Sequence, residues 1–128
     1  MNAKLVINNK TQHSVPSEKD IKNAILAVFK EKGFDINAEV GLKVVGKAEI
    51  KKLNAKFRGK DTATDVLSFP IFTKAPKVSA ETILLGDIVI CYDVAQENAD
   101  LNHISTDDEF LKLVSHSTLH LLGFHHKE

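Results

Sequence analysis

The chain is short of three things: cysteine, net charge and long apolar runs. Its one cysteine, Cys91, cannot close an intrachain disulfide, so nothing points to an oxidising compartment and a reducing, cytoplasmic setting is expected. No apolar run approaches the roughly 20 residues of a membrane span. The opening MNAKLVINNK also lacks the apolar stretch of a secretory signal. Basic and acidic residues balance at 17 each, which argues against a general nucleic-acid binder, usually basic overall. No repeat, low-complexity tract or linker divides the sequence. Its 128 residues, 43% apolar and 27% charged, fit one globular domain over 1–128 with a core of its own.

The zero total conceals an uneven distribution. Residues 43–60 hold Lys43, Lys47, Lys51, Lys52, Lys56, Arg58 and Lys60 against Glu49 alone, while 81–109 hold eight acids and no lysine or arginine. Such asymmetry creates a basic face, and Lys51, Lys52, Lys56 and Lys60 are its candidate substrate-binding residues. The plainer reading is a solvated helix surface.

Leu5-Val6-Ile7 reads as a short strand ending at Asn8-Asn9. Ser17 can cap a helix whose Ile21, Ala24, Ile25, Val28 and Phe29 form one apolar stripe, stopped by Gly33. Val40, Leu42 and Val44 alternate as in a strand. Ile50, Leu53 and Phe57 mark a second amphipathic helix, ended by Arg58-Gly59, with the lysines opposite. Val66 to Phe69, closed by Pro70, reads as a short or edge strand, 72–82 as an exposed loop, and Leu84 to Cys91 as a strand buried on both faces. Asp93 is placed to cap a helix reaching Leu101; Ser105 or Thr106 is placed to cap the last one. The order β-α-β-α-β-β-α-α does not alternate strictly, so the expectation is α+β: a small mixed four-stranded sheet with helices packed on it.

The last helix carries His116 and His120. Residues four apart lie one turn above each other, so two imidazoles can point at one ion, at the ~2.0–2.1 Å of a zinc–nitrogen bond. Gly123 ends the helix, and the chain can return His125 or His126 beside the pair. Three neutral imidazoles leave a fourth tetrahedral position for water, as in a catalytic rather than a structural site. His13 and His103 lack such partners and read as surface or capping residues. In zinc peptidases a glutamate after the first histidine is the general base; here that residue is Ser117, too weak a base for the task. Phosphodiester cleavage asks instead for a Lewis acid and a cation against charge growing on phosphorus. Arg58, the only arginine, has the planar fork that suits a phosphate.

The segment HSTLHLLGFHH (116–126) resembles the H-G-x-L-H-L-x-G-Y-D-H signature of the YbeY family, bacterial endoribonucleases of rRNA maturation. Phe57-Arg58-Gly59-Lys60-Asp61, Thr64 to Pro70, and Leu85 to Cys91 agree as well, so the likeness spans about residues 50–126. The resemblance implies one zinc ion, or nickel, held by His116, His120 and His126, with Arg58 facing the metal and needed for activity. It implies cleavage of single-stranded RNA in 16S rRNA 3′-end maturation and ribosome quality control, with the small ribosomal subunit or its proteins as partners. His116 and Arg58 are then the catalytic candidates. Ser117 replaces the family's usual glycine and His125 its aspartate. Two other readings are a zinc peptidase, since the spacing of His116, His120 and His126 is metzincin-like, and a ribosome-assembly factor with structural zinc.

Overall fold

A computed structural model describes residues 1–124. The elements in chain order are β1 (Asn2–Asn9), α1 (Glu18–Lys32), β2 (Asp35–Val45), α2 (Lys47–Arg58), β3 (Val66–Pro70), β4 (Val78–Cys91), α3 (Tyr92–Leu101) and α4 (Thr106–Leu122). The four strands form one sheet in the order β1-β2-β4-β3. β1 and β4 run parallel to β2, whereas β3 runs antiparallel to β4, so the sheet is mixed. β3 is an edge strand, which accommodates Pro70 because its outer side has no ladder to complete.

Two helices are bounded by local chemistry. Ser17 accepts from Asp20 N at the start of α1, and Ser105 accepts from Asp108 N at the start of α4; each satisfies an amide that the first turn leaves orphaned. Gly33 and Gly123 close the same helices in left-handed backbone. At Gly123 a side chain would also collide with the backbone of Thr73 and Lys74, because the end of α4 docks on that loop through Ala75 N to Leu122 O at 3.2 Å.

α1 and α4 cover one face of the sheet. Ile36, Ala38, Val40, Leu42 and Val44 of β2 and Leu85, Ile88 and Ile90 of β4 share a core with Ile21, Ile25 and Phe29 of α1 and Phe110, Val114 and Leu121 of α4. The opposite face is covered only in part: Ile50 of α2 joins Val45, Leu67, Val89 and Cys91 in a smaller cluster.

Several boundaries and exposures differ from the sequence reading. β1 runs from Asn2 to Asn9. β4 begins at Val78, inside the segment read as a loop, because its polar first residues pair with the start of β2. Its register shifts opposite Glu39 and Val40, and Leu84, 57% exposed, lies where no helix reaches, so this strand is buried on both faces only towards Cys91. Asp93 does not cap α3; β4 runs directly into the helix, Cys91 is the cap residue, and Asp93 falls in the first turn. Phe57 completes the apolar spacing of α2 yet is 55% exposed, since the helix reaches past its cluster.

Candidate active site

The cleft that gathers the chemistry lies between the end of α2, the strand β3 and the C-terminal half of α4. It has a volume of about 560 Å³, and its lining includes Arg58, Thr64, Asp65, Ser68, His116 and His120. Residues 58 and 120 are far apart in sequence; the antiparallel pairing of β3 with β4, under α4, brings them to one place.

Gly86 makes that close approach possible. Its φ is 145°, and a Cβ there would meet the backbone of Phe69 and Pro70 and a methyl of Leu121. Only glycine adopts that backbone without strain while letting β3 and α4 approach.

His116 and His120 stand one turn apart with their Nε2 atoms 3.2 Å from each other and ring planes inclined by 56°. Two nitrogens bound tetrahedrally to one zinc at ordinary bond lengths stand about 3.3–3.4 Å apart. The pair therefore already has nearly the separation of two ligands on one ion, and the donor set suits zinc or nickel, both of which accept imidazole. Among the described residues no third histidine, cysteine or carboxylate completes a ligand group with them. His125 and His126, the expected sources of the third ligand, lie outside the described residues.

Ser117 is fully buried, and its hydroxyl accepts from Ser68 Oγ at 2.8 Å. It is engaged between α4 and β3 and does not line the cleft. Sequence reasoning identified its chemical weakness but not this partner, which lies 49 residues away.

The loop between α2 and β3 is held by a group that sequence reasoning missed. Asn54, buried on α2, donates Nδ2 to Thr62 O at 3.0 Å, and its backbone carbonyl accepts from Lys60 N at 3.3 Å. Asp65 at the end of the loop accepts from Asn98 Nδ2 at 3.3 Å, while its carbonyl accepts from Cys91 N at 2.9 Å. These bonds fix the floor of the cleft next to Arg58. An asparagine three residues before an exposed aromatic carried no signal of this in the sequence.

The sequence model of the family described as Endoribonuclease YbeY matches residues 6–128, which extends the likeness seen over 50–126 to β1 and α1. This chain belongs to the YbeY family. An Endoribonuclease YbeY of Alkaliphilus oremlandii is 43% identical over 106 residues, 83% of this chain and 70% of the relative. That of Persephonella marina is 34% identical over 124 residues, 97% of this chain and 79% of the relative. A solution structure from Thermotoga maritima matches with a TM-score of 0.57 at 27% identity, covering 98% of this chain and 75% of the other.

Within this YbeY-family chain the cleft unites Arg58, His116 and His120 but not the basic helix face. Lys51, Lys52, Lys56 and Lys60 are all exposed and do not line it. His13, read as a lone surface histidine, lies 3.3 Å from Asp93 and stacks on Tyr92 at 4.0 Å. Glu109, an acid in the first turn of α4, is buried, and its Oε1 has no hydrogen-bond partner among the described residues. No described helix is long and apolar enough to cross a membrane.

Proposed function

We propose that this chain is a metal-dependent endoribonuclease cleaving single-stranded RNA, with 16S rRNA 3′-end maturation in the cytoplasm as its setting and the small ribosomal subunit as its partner. Family membership supports the reaction class. The observation that carries the assignment to residues is the cleft itself, where the only arginine and a ligand-spaced histidine pair line one cavity.

His116 and His120 would hold the ion through Nε2, with His126 of the terminal segment as the third ligand; zinc is the favoured metal and nickel the alternative. A divalent ion bound there supplies a Lewis acid and lowers the pKa of a coordinated water. Arg58 binds the scissile phosphate through its planar fork and steadies the negative charge that develops on phosphoryl oxygens. Ser68 and Ser117 hold α4 against β3, so the histidine pair and Arg58 keep their spacing. Lys51, Lys52, Lys56 and Lys60 track the RNA backbone outside the cleft, where exposed lysines bind phosphates without reading sequence, and such binding weakens steeply with salt.

A peptidase is disfavoured by family membership and by the buried Ser117, which offers the cleft no base. A purely structural zinc is disfavoured by the arginine in the same cavity.

The test is Arg58→Ala. Cleavage of a single-stranded RNA should fall about 10²–10³-fold, the loss typical of removing one charge-stabilising donor, with metal content unchanged. Undiminished cleavage would remove Arg58 from the chemistry and with it the phosphate argument.

A further inference from the structure

A second cavity of about 500 Å³ opens on the sheet face that α2 covers only in part, a volume within the range of small-molecule sites. Its lining includes Val6, Gly41, Leu53, Phe57, Phe69 and Asp87. Phe57 and Phe69 pack edge to face with centroids 5.1 Å apart, and both rings also line the histidine cleft. The two cavities therefore meet at one aromatic wall.

Three features of this groove fit a nucleobase. The first is the exposed ring of Phe57 at one end of the groove, with Val6, itself 51% exposed, on the far edge strand; bases stack on exposed aromatic rings whatever their sequence. The second is Asp87. Its carboxylate occupies the space that a side chain at Gly41 would fill, and among the described residues it takes no hydrogen bond or ion pair. An ionised carboxylate only accepts, and its two oxygens match the adjacent N1–H and N2–H donors on the Watson–Crick edge of guanine. The third is the rim, where Lys43 and Lys10 share Glu49 at 2.7 and 3.1 Å, leaving one positive charge in excess for a phosphate.

We propose that this groove is a nucleobase subsite that takes a guanine of the single-stranded substrate, close along the strand to the phosphate cleaved at His116, His120 and Arg58. The proposal rests on the endoribonuclease reading. The shared aromatic wall favours RNA over a protein segment, since a strand leaving the cleft meets the groove without crossing another element.

The experiment is an inosine scan. Single-stranded RNA oligomers of one sequence, each with one guanosine replaced by inosine, which lacks the 2-amino group, are cleaved by the wild-type metal-loaded enzyme and by Asp87→Asn. Replacement at one position near the cut should slow the wild-type enzyme about ten-fold, in the range of a lost bidentate base contact. In Asp87→Asn the same replacement should have little effect, because the amide turns an NH2 donor toward one of the two base donors and the paired contact can no longer form. Val6→Trp, on an exposed edge strand, fills the groove and should abolish the same response with Asp87 still in place. A wild-type scan with no responsive position overturns the subsite, as does a response that survives in both variants. If Asp87→Asn slows all oligomers equally while the inosine response persists, the residue serves a protein contact or the fold, and the proposal is wrong. Should the wild-type enzyme cleave no RNA, the nuclease reading fails separately. Fluorescence anisotropy of labelled guanosine and inosine trinucleotides on the metal-free chain then decides the subsite by itself: equal binding overturns it and tighter guanosine binding that Asp87→Asn erases supports it.

Discussion

Ser68 Oγ on β3 donates to Ser117 Oγ on α4 at 2.8 Å, joining the strand under the cleft to the helix that carries the histidine pair. Ser117 follows His116 on α4 and Ser68 lines the same cleft as His116 and His120, so the bond ties the pair to the β3 wall. Ser68→Ala strands the fully buried hydroxyl of Ser117 and should cost about 1 kcal/mol in urea unfolding. Ser68→Ala/Ser117→Ala should lose less than the sum of the two single changes. Strict additivity in that cycle would show that the bond contributes nothing.

Glu49 makes stability sensitive to acid. Its carboxyl titrates below the usual 4.5 because Lys43 donates a hydrogen bond to it, which outweighs the opposing effect of burial, with Lys10 adding a second. A carboxyl that is more acidic folded than unfolded contributes stability that is complete above the unfolded value and lost as pH falls through the folded one. Stability should therefore decline below about pH 4.5, and Glu49→Gln should be less stable at neutral pH with a shallower decline below it. Urea midpoints at several pH values measure this; parallel curves for the two proteins would refute the assignment.

Cys91 should be inert in the native chain. It is fully buried, and burial pushes its thiol above the usual 9.0, so the reactive thiolate is both scarce and inaccessible. Alkylation by iodoacetamide at pH 8 should proceed only at the rate of unfolding, and rise with denaturant. Rapid stoichiometric labelling without denaturant would contradict the packing around β4 and α3.

Where local chemistry decides structure, the sequence was readable. Ser17 and Ser105 announce their helices because a cap is a bond to a residue three positions away, and His116 and His120 announce neighbouring imidazoles because helical spacing alone brings them together. The failures share a cause in distant pairing. Val78 to Thr82 form strand only because Asp35 and Asn37 lie beside them, and a polar stretch after Pro76 gives no local hint of it. Phe57 obeys the apolar spacing of α2 but finds no core, since the extent of the sheet face beneath it is a tertiary fact. The same holds for Ser68, Asn54 and Asp65, whose partners lie in other elements or across a loop.

Metal content per chain, measured on purified wild type and on His116→Ala/His120→Ala with RNA cleavage assayed alongside, tests the central claim most directly. One divalent ion in the wild type, none in the double variant and cleavage lost with it is the predicted result. A double variant that keeps a stoichiometric ion, or that cuts RNA at the wild-type rate, would contradict the account.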